Sequence, residues 1–179
     1  MTTADADYAA AVAALRSQIL PAYVEYVEEG HAHGIAGATE SPVHVVVDVH
    51  GDRVISRSPS SGHDRSEMVG DSPVIRRLFK PECYVAKSER ESSWNGAKAV
   101  AIAVISRCSD DNDDLFINTV YADARTGELV GAEGSETDEG MTVDLGISYA
   151  RYSGFLVPSA ITAHAHGHGM LFWARDEPR

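Results

Sequence analysis

Apolar residues recur at helical spacing in two segments of the chain, and they alternate with a period near two in much of the remainder. The first segment carries one apolar face, formed by Tyr8, Val12, Leu15 and Ile19. Asp5 or Asp7 is the candidate N-cap of this helix, and Pro21 ends it. A second helix is predicted from Asp71-Ser72-Pro73 to Pro81, with an apolar face formed by Val74, Ile75, Leu78 and Phe79.

Runs rich in β-branched residues and bounded by turn residues predict strands elsewhere. The candidate strands are residues 22–28, 42–49, 53–56, 83–91, 97–108, 115–121, 128–132, 141–152, 155–164 and 170–174. Asn95-Gly96 joins two of them and is a strong hairpin signal, because both residues tolerate positive φ. Residues 58–70 and 133–140 are rich in small and polar residues, so they are predicted to be loops.

The strand count and the short connections predict an α+β fold. Tight turns allow only antiparallel pairing, because parallel strands need long crossovers. A sheet of about nine or ten strands has to curl or to split. We therefore expect a strongly curved antiparallel sheet with the two short helices packed on its concave side. No linker or repeat interrupts the chain, so residues 1–179 are predicted to form a single domain.

The charge of the chain limits its partners. It has 27 acidic and 15 basic residues and a formal net charge of −12, which repels nucleic-acid phosphates. We therefore expect no nucleic-acid partner. No apolar run approaches the roughly 18 residues that a membrane-spanning helix needs, so no transmembrane segment is expected. The sequence leaves the oligomeric state open.

The cysteines and the N-terminus leave two alternatives open. Cys83 and Cys108 suit either one disulfide or two buried thiols. The first residues lack the basic end and the apolar run of a secretory signal. The protein is expected to be extracytoplasmic, either periplasmic or secreted, if a signal peptide has been removed, and cytoplasmic otherwise.

Histidines cluster at two places in the chain. The clustered residues are His31, His33, His164, His166 and His168. Strand residues two apart project from one face, about 6.5 to 7 Å from each other, and imidazoles at that separation can converge on Zn²⁺, Cu²⁺ or Ni²⁺. Gly167 and Gly169 instead favour a flexible turn. Surface histidines or a pH-responsive cluster are the alternatives to a metal site.

Motifs for covalent catalysis or calcium binding are missing from the sequence. It contains no G-x-S-x-G nucleophile elbow, and neither cysteine has the context of a nucleophile. The acidic run at 110–114 is not an EF-hand, because Leu115 and Tyr121 stand where the loop needs glycine and glutamate. We assign no catalytic residue.

The C-terminal third contains two motif segments. The first is the turn from Asp123 to Glu128, and the second is a Tyr149-x-x-Tyr152 pattern leading through Gly154 into a hydrophobic-x-x-Pro158 sequence. Over residues 115–173 these segments resemble the outer-membrane lipoprotein-sorting (LolA-like) family. The resemblance implies an unclosed antiparallel barrel with helices as a lid. It also implies an apolar cavity that holds lipid acyl chains or another hydrophobic ligand outside the cytoplasm.

Two functional hypotheses follow from these patterns, beside a plain interaction domain with neither site. The first is a non-catalytic binding protein that holds a hydrophobic small molecule or lipid between the sheet and the helices. Its candidate lining residues are Leu15, Ile19, Leu78, Phe79, Phe116, Tyr149, Tyr152, Phe155 and Trp173. The second is a metalloprotein, either a metal carrier or a metal-dependent enzyme, built on the five clustered histidines.

Overall fold

The computed structural model describes residues 2–19, 21–28, 43–48, 53–59, 79–108, 116–138 and 140–167. The helix and strands within these ranges are α1 (Thr3–Ser17), β1 (Tyr23–Glu28), β2 (Val43–Asp48), β3 (Arg53–Pro59), β4 (Tyr84–Trp94), β5 (Ala97–Ser106), β6 (Thr119–Asp123), β7 (Leu129–Asp138), β8 (Met141–Tyr152) and β9 (Phe155–Gly167). The chain divides into two compact units, residues 1–18 with 79–179 and residues 19–78.

The unit of residues 19–78 contains an antiparallel three-stranded sheet. Its strand order is β1-β2-β3, with a bulge between Val46 and Val47. Val45 is buried, and His44 Nδ1 lies 3.0 Å from Glu25 Oε1 on the neighbouring strand. The predicted strands at 22–28, 42–49 and 53–56 are confirmed as β1, β2 and β3, and β3 continues to Pro59.

Helix α1 begins one turn earlier than the sequence suggested. Its N-cap is Thr2, which forms a capping box with Asp5, so the prediction of Asp5 or Asp7 as the cap was wrong. The helix ends at Ser17, because Gln18 is extended and its side-chain amide exchanges two 2.9 Å hydrogen bonds with the backbone of Leu156. Ile19 therefore lies beyond the helix rather than on its apolar face, and it is 85% exposed.

The other unit contains a curved, unclosed sheet of six antiparallel strands, with one helix packed on it. Its strand order, β4-β5-β6-β7-β8-β9, follows the sequence, and bulges interrupt three of the five pairings. Bulges increase local twist and bend a strand, which favours this curvature. The curved antiparallel sheet is thus confirmed, whereas the nine described strands form two sheets rather than one, since β1–β3 pair only with each other.

The sheet face that packs against α1 is here called the inner face, and the opposite one the outer face. The core on the inner face contains Ala11 and Val12 of α1 together with Ile102, Val120 and Ile147 of the sheet, all fully or almost fully buried. Tyr8 Oη fixes the helix further by donating a 2.7 Å hydrogen bond to the carbonyl of Pro81. Of the second predicted helix only residues 79–81 are described: Phe79 is buried in this core but not helical, Lys80 is extended, and Pro81 begins a short 3₁₀ helix, Pro81–Cys83. Residues 71–78 lie outside the described residues.

Several strand boundaries differ from the predicted ones. β7 continues through residues 133–138, which were predicted to be a loop, because each of these polar residues has a partner on β8. β6 begins at Thr119 instead of residue 115, and β9 continues to Gly167. The Asn95-Gly96 hairpin is confirmed, with φ angles of 49° and 81°. The predicted strand at 170–174 falls in the part of the chain that is not described.

Cys83 and Cys108 form a disulfide, which settles the alternative that the sequence left open. The bond joins the residue before β4 to the segment after β5, beside the pair formed by Tyr84 and Ser106. None of the described helices has the length and apolar content to cross a membrane.

We expect the Cys83→Ala/Cys108→Ala double variant to lose about 3 kcal/mol of unfolding free energy, because the bond closes a loop of this length in the unfolded chain. Urea denaturation followed by circular dichroism measures the loss. The wild-type protein under reducing conditions is the control and should lose a similar amount. An unchanged denaturation midpoint in both would contradict a stabilising role for the disulfide.

Candidate functional site

Three of the seven predicted ligand-lining residues that the structure describes belong to the core. Phe79 and Tyr149 are buried and Leu15 packs against them, so these three fill the space between α1 and the sheet. Phe116 and Phe155 are half-buried, whereas Tyr152 is 76% exposed at the end of β8. Leu78 and Trp173 are outside the described residues.

Tyr149 contributes a polar atom to this apolar core. Its hydroxyl is buried and has no hydrogen-bond partner. Burial, followed by the neighbouring Tyr84, raises the pKa of the Tyr149 phenol far above its ordinary value. The phenol therefore stays protonated and carries an unused donor, which costs about 1–3 kcal/mol relative to a satisfied one.

The first residue of β6, Thr119, pairs with Glu133 of β7, and strands β7, β8 and β9 extend past this pair. This extension, made of residues 134–138, 141–146 and 161–167, is here called the distal arm. Because side chains alternate along a strand and Ile147 lies in the core, Val143 and Leu145 also point to the inner face. Both are only half-buried, and Ile161, the β9 partner of Ile147, is 49% exposed. The inner face of β8 and β9 in the arm is therefore an apolar surface continuous with the core, and the exposed Glu136 of β7, the partner of Val143, borders it.

The boundary between the core and the distal arm lies at Gly134. A Cβ added there would stand 1.7 Å from the carbonyl oxygen of Phe116, so the chain that leads into β6 crosses directly over this glycine. The next residue, Ile117, is buried in the core. The half-buried Phe116 thus lies where the filled core ends and the open apolar surface of the arm begins.

The outer face of the distal arm carries the described members of the histidine cluster. His164 and His166 both lie on β9, opposite Asp144 and Thr142. His164 ends the predicted strand 155–164, whereas the predicted flexible turn is wrong at His166, where the strand continues. His166 Nδ1 lies 3.5 Å from Asp144 Oδ2. Among the residues that the structure describes, no group of three or more candidate ligands is arranged to hold a metal ion. His31, His33 and His168 are not among them, so the metal site stays a prediction.

An aromatic cluster covers the outer face at the middle of the sheet. The Trp94 and Tyr121 rings have centroids 4.5 Å apart, and Trp94 lies so close over Gly131 that a Cβ there would come within 2.1 Å of the indole. The Tyr121 hydroxyl donates to Glu133 Oε1 at 2.5 Å. Burial and this bond raise the pKa of Tyr121 to about 12. The cluster is a second small core on the outer face.

A cavity of about 250 Å³ lies beside the aromatic cluster. Its lining residues are Ser88, Glu89, Arg90, Ala101, Ala103 and Thr119. Ligand pockets for drug-sized molecules usually measure about 300–1,000 Å³ and are mostly apolar. This mixed, small cavity is therefore a poor match for an acyl chain, and it shares no residue with the predicted hydrophobic lining.

Two carboxyl groups meet where α1 crosses β4. Glu89 lies on the inner face opposite Ile102, and its Oε2 is buried without a partner. Burial raises the pKa of Glu89, and a hydrogen bond and charge repulsion from Asp7 raise it further. Glu89 therefore fits this position better in its neutral, protonated form than as a carboxylate.

The two motif segments that carry the family resemblance touch each other. Asp123 Oδ1 accepts hydrogen bonds from the backbone N–H groups of Arg125 and Thr126, which shapes the turn before β7. Arg151 on β8 then pairs with Glu128 at the end of that turn. Comparisons of the chain with protein-family models, with curated proteins and with solved structures found no match.

Sequence patterns missed three of these features. The inner-face row of β8 is visible as alternating apolar residues from Met141 to Ile147, but sequence alone does not show which part of it α1 leaves open. The contact between Trp94 and Gly131 depends on strand register. The carboxyl pair depends on a helix crossing that no local pattern encodes.

We expect Gly131→Ala to destabilise the fold by about 1–3 kcal/mol, because the new methyl group displaces the Trp94 ring. In a Trp94→Ala background the same substitution should cost much less, since the obstructing ring is gone. Thermal or urea unfolding of the four proteins in this double-mutant cycle measures the coupling. Equal costs in both backgrounds would show that the ring does not lie on Gly131.

We expect Glu89→Gln to stabilise the protein at pH 8 and to lose this advantage near pH 4. A raised folded-state pKa means that the folded protein binds the proton more tightly than the unfolded chain does. The resulting stability is present at low pH and is lost as the pH rises through the folded-state pKa. Urea midpoints across this range test it, with Glu91→Gln, an exposed residue of the same strand, as the control. A pH-independent difference would contradict a raised pKa of Glu89 in the folded protein.

Proposed function

We propose that this protein is a non-catalytic binding protein for a hydrophobic or lipid-like ligand, which lies on the concave, inner side of the curved sheet. The observation that carries the proposal is the apolar inner face that β8 and β9 form in the distal arm, next to the carboxylate of Glu136 on β7. Val143, Leu145 and Ile161 are partly exposed there, although they continue the row that forms the core. Contiguous exposed apolar surface commonly marks a binding site.

The arm provides a shape suited to a long apolar group. Ala163 and Ala165 face Leu145 and Val143 across the strand pair, so small side chains on β9 run beside larger ones on β8. An acyl chain placed along β8 gains about 0.8 kcal/mol for each methylene that it buries. Phe116 lies at the inner end of this surface, and the unused hydroxyl of Tyr149 lies further along the same row.

The resemblance to lipoprotein-sorting proteins supports the same function. It implies an unclosed antiparallel sheet with helical cover, and α1 packs on one part of the inner face while the arm extends past it. The disulfide favours an oxidising compartment, since such bonds are rare in the cytosol of most organisms. We therefore propose a periplasmic or secreted protein whose cargo is a lipid or a similar hydrophobic molecule.

We expect delipidated protein to bind saturated fatty acids with an affinity that rises about fourfold for each added methylene until the arm is covered. Val143→Lys should weaken palmitate binding by about tenfold, because it places a charge in the apolar row. The matched control is Thr142→Lys, which adds the same charge to the adjacent residue on the outer face.

Isothermal titration calorimetry or displacement of a fluorescent fatty-acid probe measures these affinities. Equal effects of the two lysine variants would place the ligand elsewhere. If no fatty acid or phospholipid binds or shifts the melting temperature, the protein is not a lipid-binding protein.

A further inference from the structure

The two edges of the six-stranded sheet differ in how they are protected. β4 at one edge carries Lys87, Glu89, Arg90 and Glu91, and a bulge falls at Lys87. Charges and bulges on an edge strand prevent another strand from adding to it. The β4 edge is thus protected in the usual way.

The β9 edge lacks these features along most of its length. β9 has 13 residues, and after the irregularity beside Pro158 it contains no proline. Residues 159–166 are all exposed and include no Asp, Glu, Lys or Arg. In a chain with a net charge of −12, this is a stretch where a second copy can approach without meeting acidic side chains on the strand itself.

We propose that β9 pairs antiparallel with β9 of a second copy, so that two six-stranded sheets join into one. An antiparallel strand pairs with its own copy around a two-fold axis, which closes the assembly as a dimer. The eight exposed residues span about 26 Å, enough for a full ladder of backbone hydrogen bonds.

The faces of the sheet restrict the register of this pairing. Registers that keep the inner faces together bring Ile161, Ala163 and Ala165 of one copy beside the same residues of its partner. A slip by one residue would place these apolar side chains among the outer-face residues Thr162, His164 and His166. The favoured dimer therefore extends the apolar inner surface of each distal arm across the junction.

The test introduces two lysines into β9 and leaves the residues of the proposed ligand-binding surface unchanged. Ala160 and His164 are exposed and lie on the outer face, so Ala160→Lys/His164→Lys leaves Val143, Leu145 and Ile161 unchanged. The matched control, Ser88→Lys/Ser93→Lys, adds two lysines at exposed positions of the β4 edge. Sedimentation velocity of the full chain over a wide concentration range gives the dimer dissociation constant.

We expect the wild type to approach twice its 19.2 kDa chain mass as concentration rises. The β9 variant should raise the dissociation constant by about tenfold or more, since like charges then face each other across the junction, and the β4 control should leave it within twofold. Hydrogen exchange of the amides of residues 159–166 should slow as the wild type dimerises.

A wild type that stays monomeric at every concentration overturns the proposal. If these amides are nevertheless protected in that monomer, another segment of the same chain occupies the edge. Equal weakening by both lysine variants overturns it as well, because the dimer would then not depend on β9. Fatty-acid binding that persists in the monomeric β9 variant separates this outcome from failure of the proposed function.

Discussion

Burial of one side of α1 against the middle of the six-stranded sheet is the contact on which the larger unit depends. Ala11 and Val12 have no exposed surface, and the small alanine lets the helix approach Ile102 and Val120 closely. The helix is placed by three kinds of contact: apolar packing, the Tyr8 hydrogen bond to Pro81, and the exchange between Gln18 and Leu156. Each contact joins the N-terminus to residues far along the chain, so the position of the helix depends on strands that lie far from it in sequence.

This placement divides the inner face into a filled part and an open part. The helix packs against β4, β5, β6 and β9, and the predicted lining residues Leu15, Phe79 and Tyr149 are used as core on this part of the face. Past Gly134 the same alternation of side chains continues along β8, but Val143 and Leu145 are only half-buried there. The amphipathic pattern that builds the core therefore also produces the exposed apolar surface of the distal arm.

Sequence patterns predicted the parts of the fold that depend on local chemistry. The Asn95-Gly96 turn, the extent of β8 from Met141 to Tyr152 and the antiparallel order follow from turn residues and alternation over short distances. Residues 133–138 were predicted to be a loop, because their polar composition hides a strand that is held by pairing with β8. The helix cap was misplaced because Asp5 and Thr2 are both good capping residues, and their reciprocal bonding decides between them. The candidate site was the least predictable part, since it depends on where α1 stops covering the sheet.

Gly134 has a consequence for how this protein tolerates change. The carbonyl oxygen of Phe116 occupies the space where any other residue at position 134 would place its Cβ. The absence of a side chain at Gly134 therefore allows the segment before β6 to cross the inner face. Substitutions on the core side of this crossing are expected to alter stability. Substitutions of the half-buried residues past Gly134 are expected to leave the packed interior intact, so the arm can tolerate a wider range of side chains than the core.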